Sequence, residues 1–380
     1  MSHRLSSRLR GLRSSPVREI LSIASRGDII SFAGGLPARS TLPELAELPV
    51  VRDDFQYGPS EGEPALRRWI ADDLASRGLH VDPEHVVVLS GSQQGIDLVA
   101  KLVIDSGTRV AVESPTYLAA LQVFSLFGAD YVPWKIAALD ALSNVPAPAM
   151  LYCIPTFQNP SGQVYSDAQR RTLARVCDEI GMILFEDDPY RDLVYETCDR
   201  TPVASFVRRS SWVYQGSFSK TLAPGLRLGY LVSSPDLHAP LLQLKQAADL
   251  HSNRLSQRIV LGMLDDPDAE RRLSRVRDEY RQRRDLFERS LEEHLGEIAR
   301  WERPAGGLFF WLEIKSDRPI RLLDVLPSAL EAGIAFMPGE PFFAEDVRAS
   351  NRLRLSFGNA SPDMFDRGLS ILANVIRTAS

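Results

Sequence analysis

Short apolar segments alternate with amphipathic segments along much of this chain, and this alternation limits the fold more than any other feature. The apolar segments are near-continuous, as expected for strands covered on both faces, and the segments between them repeat apolar residues at helical spacing. Alternating strands and helices of this kind predict a parallel sheet between two helical layers. The predicted strands are HVVVLSG (85–91), TRVAVESP (108–115), AMLYCIP (149–155), MILFEDD (182–188) and WVYQGS (212–217). The predicted helices are RRWIADDLASRG (67–78), QQGIDLVAKLVID (93–105), YLAALQVFSLFG (117–128) and DAQRRTLARVCDEIG (167–181).

The C-terminal part of the chain has a different pattern, which predicts a second domain. A length of 380 residues already favours two domains. The charged stretch 270–294 has widely spaced apolar residues and predicts one long exposed helix, interpreted as a solvated connector. Shorter pieces follow at 306–314, 329–338 (an alternating segment) and 352–358, and they favour a smaller α+β domain.

Composition excludes several classes of function. A net charge of −5 gives no basic footprint for nucleic acid, and no apolar run approaches the roughly 20 residues that span a bilayer. Six scattered histidines and three cysteines form no metal-ligand cluster, so we expect no metal. The first 18 residues carry five arginines and no acid, as in an organelle transit peptide. Because arginine outnumbers lysine 39 to five throughout the chain, a cytoplasmic location is the preferred expectation.

Polar residues stand where predicted strands end, which is where open parallel sheets bind ligands. Ser92 suits a helix N-cap, and the free N–H groups of a first helical turn can bind an anion, although a plain capped helix is the alternative. Asn159 begins an Asn-Pro-Ser-Gly turn and could be a turn former alone. The acids at 186–188 are either solvated or poised beside a buried base.

The segment GSFSKTLAPGLRLG (216–229) carries the sharpest chemical signal. Hydroxyls and a bidentate arginine, Arg227, suit phosphate recognition. Lys220, one of only five lysines, lies between the hydroxyls and a Pro-Gly turn. A lysine held away from bulk water suits Schiff-base chemistry, whereas a solvated surface charge is the ordinary alternative.

With these motifs in view, the chain resembles the fold-type-I pyridoxal-phosphate (PLP) aminotransferases. It is most similar to the branch that holds 2-aminoadipate and kynurenine aminotransferases and the effector domain of MocR-type regulators. The resemblance implies a large α/β domain with a mainly parallel seven-stranded-type sheet, and a smaller α+β domain. It places an N-terminal arm at 1–44, contributing to the small domain and substrate pocket, the PLP-binding domain at 45–275 and the small domain at 276–380. The motifs that carry it are FAGGLP (32–37), QYGPSEG (56–62), SGSQQ (90–94), ESPTY (113–117), PTFQNPSG (155–162), EDDPY (186–190), GSFSKTLAPGLRLG (216–229), RPAGGLFFW (303–311) and RLRLSFG (352–358).

The resemblance also implies roles for the polar residues at the strand ends. Lys220 matches the lysine that forms the Schiff base with PLP and then moves the substrate proton. Asp187 matches the acid that pairs with the ring nitrogen and keeps it protonated. Tyr190 and Asn159 match the groups that hydrogen-bond the cofactor's phenolic oxygen. The residues matching the phosphate cup are Ser92, Gln93, Ser217, Ser219 and Arg227.

Other matches concern the substrate and a second subunit. Tyr117 matches the aromatic side chain that stacks on the cofactor ring. Arg354 matches the arginine that grips the substrate α-carboxylate as a planar fork. Gly35 lies beside the substrate in this branch, or in a plain turn. Arg18 matches a mobile arginine that meets a distal substrate carboxylate, or is a solvated helix charge. Tyr57 resembles a residue that reaches a neighbouring subunit's phosphate, which implies a homodimer with shared active sites.

The implied function is ping-pong transamination between an α-amino acid and a 2-oxo acid, with glutamate and 2-oxoglutarate as one plausible pair. Two segments, between residues 37 and 57 and between 135 and 149, are short for this branch, so the cofactor assignment is firmer than the substrate. The same cofactor cup can serve a lyase, aldolase, oxidase or decarboxylase. A PLP-binding regulator is the remaining alternative, disfavoured because only about thirty residues precede FAGGLP.

Overall fold

The computed structural model describes residues 6, 8, 29–44 and 51–379. Within that part of the chain, no helix combines the length and the apolar character needed to cross a membrane. The α-helices are α1 (Pro64–Ser76), α2 (Ser92–Val103), α3 (Leu118–Leu126), α4 (Asp167–Ile180), α5 (Pro235–Asp249), α6 (Arg254–Leu264), α7 (Ala269–Leu295), α8 (Leu322–Glu331) and α9 (Phe365–Ala379). The strands of the large sheet are β2 (Val86–Leu89), β3 (Arg109–Glu113), β4 (Asp130–Trp134), β5 (Met150–Cys153), β6 (Ile183–Asp188), β7 (Trp212–Ser217) and β8 (Gly229–Ser233), and β1 (Ile30–Ser31) lies outside it.

The large sheet has the order β2-β8-β7-β6-β5-β3-β4, with β8 antiparallel to both neighbours and the other pairings parallel. Both faces are buried: along β2, Val87 and Leu89 enter one apolar cluster, while Val86 and Val88 enter the other. This burial explains why the strands read as continuous apolar runs. The sequence pattern missed β4 and β8, since β4 contains a proline and exposed residues and β8 begins at a glycine beside the lysine segment.

Strands β3, β5, β6 and β7 run in the same direction, so their carboxyl ends meet at one edge of the sheet. The residues after these ends are 114–117, 154–159, 189–190 and 218–220. The lysine segment is thereby brought to the same edge as the Asn159 turn and the acids of β6. This is the edge at which open α/β sheets bind ligands.

The C-terminal part forms a four-stranded antiparallel sheet with the order β12-β13-β10-β9. Its strands are β9 (Ala299–Trp301), β10 (Phe309–Ile314), β12 (Met337–Pro338) and β13 (Arg352–Ser356). Strand β11 (Ile334–Ala335) pairs instead with β1, in parallel, and so attaches residues 30–31 to this part of the protein. The predicted alternating segment at 329–338 is wrong in its first residues, because they complete helix α8.

The predicted long helix exists as α7, but its interpretation as a solvated connector is wrong. One face of α7 is buried, and Tyr280, Phe287 and Leu291 belong to the apolar cluster of the C-terminal sheet. The apolar positions recur at intervals of three to seven residues among charged ones, so the helix hides a narrow apolar stripe. The domain boundary predicted at 275/276 falls inside this helix and remains a prediction.

Candidate active site

Lys220 lies in the turn between β7 and β8, half-buried, and its Nζ donates a hydrogen bond to the Gly35 carbonyl at 2.9 Å. Burial lowers the pKa of Lys220 to about 8, and the positive charges of Arg354 and Arg227 lower it in the same direction. With this pKa about a tenth of the amine is neutral near neutral pH, far more than for an ordinary lysine. The ordinary alternative of a fully solvated lysine therefore does not describe this side chain.

All three acids at the end of β6, residues 186–188, are buried, so the solvated alternative is wrong for them. Burial raises the pKa of Asp187 to about 6, while hydrogen bonds from Gln215 and Tyr152 lower it. Gln215 Nε2 donates to Oδ1 at 2.8 Å, and the Tyr152 hydroxyl donates to Oδ2 at 2.7 Å. Asp187 is thus a buried carboxyl with neutral donors, suited to pair with a cationic ligand atom.

Asn159 joins two other predicted site residues. Its Nδ2 donates to the Tyr190 hydroxyl at 3.4 Å, and its Oδ1 accepts from Arg354 Nη1 at 2.7 Å. Arg354 Nη2 donates to the Ala33 carbonyl at 2.7 Å, and its guanidinium carbon lies 4.1 Å from the centre of the Phe309 ring. Burial lowers the pKa of Arg354 to about 10. Asn159 is therefore more than a turn former, since its amide links both side chains.

Three of the residues assigned to a phosphate, Ser92, Gln93 and Arg227, lie at the start of α2. The N-cap is Gly91, at φ 84°, and Ser92 is the first helical residue, so the prediction of Ser92 as N-cap is wrong by one position. A Cβ built on Gly91 would lie 2.6 Å from Arg227 Nη2, which shows how closely the exposed Arg227 approaches this backbone. The first-turn N–H groups and this guanidinium are donors of the kind that an anion requires.

The remaining predicted residues differ in how the structure places them. Ser217 Oγ accepts from the Ser219 backbone N–H at 3.2 Å, which holds both hydroxyl residues in the turn before Lys220. Tyr117 is partly buried at the start of α3, and burial raises the pKa of its hydroxyl. Tyr57 is 76% exposed in the single chain. Gln93 follows Ser92 in the first turn of α2, Gly35 contacts Lys220 as described above, and Arg18 lies outside the described residues.

Sequence reasoning missed several side chains that complete the site. Gln215 was overlooked although it is a polar residue inside the apolar strand β7. Tyr152 gave no signal, because a tyrosine is ordinary in a buried strand. Phe309 and Phe342 flank the Arg354 guanidinium, at 4.1 and 5.1 Å from their ring centres. Phe309 reaches Arg354 through the pairing of β10 with β13, and Phe342 through the turn at 340–342, neither of which a local pattern shows.

The residues present fit PLP by charge and by position. The cofactor needs an amine, a partner for its ring nitrogen and an anion site. Here Lys220, Asp187 and the start of α2 supply these groups at one sheet edge. Arg354 keeps a buried Nε without a partner in the described residues, so the guanidinium retains a free donor.

The sequence profile of the family described as aminotransferase class I and II matches residues 32–372. The chain belongs to this family. A 2-aminoadipate transaminase of Thermus thermophilus is 35% identical over 96% of this chain and 94% of its own length. A solved kynurenine aminotransferase of Pyrococcus horikoshii, in complex with PMP, superposes with a TM-score of 0.91 at 32% identity, covering 99% of this chain and 97% of that one. The HTH-type transcriptional regulator YisV of Bacillus subtilis is 29% identical over 96% of this chain and 77% of the regulator.

These matches confirm the predicted family and the fold of the aminotransferase. They also confirm the prediction of an enzyme, a PLP-dependent aminotransferase that acts on amino acids and 2-oxo acids. The match to YisV agrees with the predicted branch, which includes regulators as well as enzymes.

Proposed function

We propose that this aminotransferase moves an amino group between an α-amino acid and a 2-oxo acid through Lys220, with glutamate and 2-oxoglutarate as one pair. An aromatic, aminoadipate-like or secondary-metabolite amino acid is the proposed second substrate. One observation carries the proposal: Lys220 and Arg354 donate to the carbonyls of Gly35 and Ala33, at 2.9 and 2.7 Å. The reactive amine and the carboxylate-binding cation thus converge on one short loop.

Arg354 supports recognition of an α-carboxylate. Its described hydrogen bonds go to the neutral oxygens of Asn159 and Ala33, so its charge has no carboxylate partner within the described residues. A guanidinium in this state binds a carboxylate as a bidentate fork. Burial among aromatic rings excludes water and strengthens that interaction.

We assign the parts of the cofactor to the residues that lie around Lys220. PLP, when bound, supplies a carbonyl that reacts with amines and a ring that withdraws electrons from the substrate Cα. Asp187 would hold the ring nitrogen, Tyr117 the ring face, and Asn159 with Tyr190 the phenolic oxygen. The phosphate would be held by Ser92, Gln93, Ser217, Ser219 and Arg227.

Lys220 does the acid–base work in this proposal. Its pKa of about 8 leaves the Nζ able to accept a proton from the substrate Cα and to return it. The Gly35 carbonyl, at 2.9 Å, limits where the amine can sit once it is free. Arg354 holds the carboxylate and thereby orients the Cα–H bond toward the amine. A 2-oxo acid bound to the same arginine takes the reverse course and completes the ping-pong cycle.

We also propose a homodimer in the cytoplasm. An exposed apolar patch supports the dimer: Val51, Phe55, Tyr57 and Leu250 are between 48% and 76% exposed in the single chain. Tyr57 belongs to this patch, as a residue that reaches a neighbouring subunit would. The three cysteines are free, which fits a reducing compartment.

The test is the absorbance spectrum of the PLP-loaded protein, recorded before and after adding glutamate and a panel of other amino acids. We expect the band of lysine-bound PLP to convert to the pyridoxamine form with a donor and to return with a 2-oxo acid. Lys220→Ala removes the lysine-bound band, whereas Lys135→Ala, which alters an exposed lysine, leaves it unchanged.

Each contrary result has a distinct meaning. A lysine-bound band in Lys220→Ala would overturn the whole site. Release of a 2-oxo acid from a donor without formation of the pyridoxamine form would replace transamination by another PLP reaction. A loaded protein that no amino acid converts would favour a ligand-binding regulator, as in the regulator branch of the family.

A further inference from the structure

Asp187 accepts hydrogen bonds on both of its oxygens from uncharged side chains. Gln215 Nε2 donates to Oδ1 at 2.8 Å and the Tyr152 hydroxyl to Oδ2 at 2.7 Å. The donors come from the two strands that flank β6: Gln215 pairs with Asp187 in the β6–β7 register, and Tyr152 pairs with Phe185 in the β5–β6 register. Phe185 and Asp187 are two residues apart on β6, so their side chains share one face of the sheet.

Gln215 is an unexpected residue for its surroundings. It is fully buried, and its Oε1 has no hydrogen-bond partner within the described residues. A Cβ built on Gly95 would lie 2.1 Å from that oxygen, so a glycine leaves room for the amide. A buried amide with one unpaired atom is less stable than an apolar side chain of the same size. Packing alone therefore does not explain a glutamine here.

The two hydrogen bonds affect the ionisation state of Asp187. No cation forms an ion pair with Asp187 in the described ranges, and burial alone favours its protonated form. The donors stabilise the carboxylate and work against burial. In the described part of the chain, the titratable groups that interact electrostatically with Asp187 include Asp188 on its own strand and Glu113, Tyr117, Tyr152 and Tyr190, all of which are acids.

We propose that Gln215 and Tyr152 are positioning residues that keep Asp187 ionised and oriented toward the ring nitrogen of the cofactor. The inference rests on the proposed role of Asp187 in the active site. Each oxygen accepts one bond from a flanking strand and retains further acceptor capacity for a ligand. Rotation of the carboxyl group would break both bonds, so the sheet register fixes its plane.

The first experiment uses the cofactor-free protein. Burial raises the pKa of Asp187 from 3.8 to about 6 in the folded chain, so the folded chain binds more protons than the unfolded one between these pH values. The stability of the folded chain therefore falls as the pH rises from about 4 to about 6. Gln215→Leu and Tyr152→Phe raise that pKa further and extend the loss to higher pH. We expect the melting temperature of both variants to fall more steeply than that of the parent between about pH 5 and about pH 8.

Two controls separate this effect from a loss of packing. Gln257→Leu alters another buried glutamine, whose described partners are the Glu63 N–H and the Ser252 carbonyl. It should lower the melting temperature equally at every pH. In an Asp187→Asn background, Gln215→Leu should produce no extra dependence on pH, because the titrating group is gone.

The second experiment measures the dissociation constant of PLP across the same pH range. We expect about tenfold weaker binding in Gln215→Leu and Tyr152→Phe at about pH 8, and a ratio near one at about pH 5, where Asp187 is protonated in all proteins. If the melting temperature and the dissociation constant of both variants change with pH in parallel with those of the parent, the inference is overturned. If Gln215→Leu does not fold, Tyr152→Phe decides alone. A parent that binds no PLP would refute the proposed function instead, while the cofactor-free profiles still test the donors.

Discussion

Lys220 shows how burial prepares one side chain for reaction. Its pKa is lowered to about 8 by burial, with contributions from Arg354 and Arg227. Because only the neutral amine attacks PLP, the rate of PLP capture by the cofactor-free protein should rise with pH and level off above about 8, not above the ordinary lysine value. Stopped-flow absorbance measures this rate. Arg354→Met should move the midpoint upward, and an unchanged midpoint would show that Arg354 does not influence the amine.

Arg354 is the residue for which geometry predicts the largest effect on substrate binding. Arg354→Lys keeps the charge but loses the planar fork, so we expect kcat/KM for amino acids to fall by roughly 10–100-fold, as for loss of a hydrogen bond to a charged group. Arg352→Lys is the matched control, since Arg352 lies on the same strand but binds Glu313 at 2.7 Å. Equal losses in both variants would point to damage to β13 and not to carboxylate recognition.

The loop at residues 32–37 is the element that connects the two parts of the site. Its Ala33 and Gly35 carbonyls accept from Arg354 and Lys220, and β1 just before it is anchored by pairing with β11. The residue at 35 has little freedom to change, since a Cβ there would lie 2.7 Å from Cζ of Phe309 on β10. The loop is therefore positioned by contacts with the C-terminal sheet.

This crowding gives a prediction for the loop. Gly35→Ala should displace the loop from Phe309 and lower kcat/KM by about tenfold, since misplaced catalytic groups lose much of their effect. Phe309→Leu, which shortens the opposing side chain, should restore part of the activity when combined with Gly35→Ala. Steady-state kinetics on the four proteins measure the coupling. Additive losses would show that the Phe309 contact does not set the loop position.

At the scale of the whole molecule, the exposed apolar patch at Val51, Phe55, Tyr57 and Leu250 bears on assembly. Hydrogen bonds from Arg254 to the Gln56 and Tyr57 carbonyls tie the segment to the start of α6. Exposed apolar side chains that lie on neighbouring segments can mark an interaction surface. We propose that a second copy of the chain covers it, with Tyr57 at the interface.

The corresponding prediction concerns mass in solution. The parent should behave as a dimer of 42.3 kDa chains, whereas Phe55→Glu should dissociate it, because burial of an unpaired charge is strongly unfavourable. Light scattering after size-exclusion chromatography measures this. Met364→Glu, at another exposed apolar residue, should stay dimeric. A monomeric parent, or a Phe55→Glu protein that remains dimeric, would contradict the proposed interface.

Much of the fold followed from local patterns, and the failures have local causes as well. Continuous apolar runs identified the buried parallel strands, whereas β4, with a proline and exposed residues, does not have that pattern. The many charged residues of α7 hid its narrow apolar stripe, because most residues of the helix lie on its exposed face. In the site, Lys220 and Arg227 were found by the chemistry of one short segment. Gln215 and Tyr152 were not found, because their importance depends on neighbours in space.

The sequence by itself determined the α/β class, through the periodicity of its segments, and the chemistry of the lysine segment 216–229, whose reactive side chains stand close together along the chain. The roles of Asp187 and Arg354 were implied by the resemblance to the aminotransferases. The tertiary structure decided which of those groups are buried, paired and adjacent. Asp187 meets Gln215 through the register of two strands, and Arg354 meets Ala33 across 321 residues of chain. These contacts arise only when the sheets assemble, because strand register and desolvation are properties of the packed molecule.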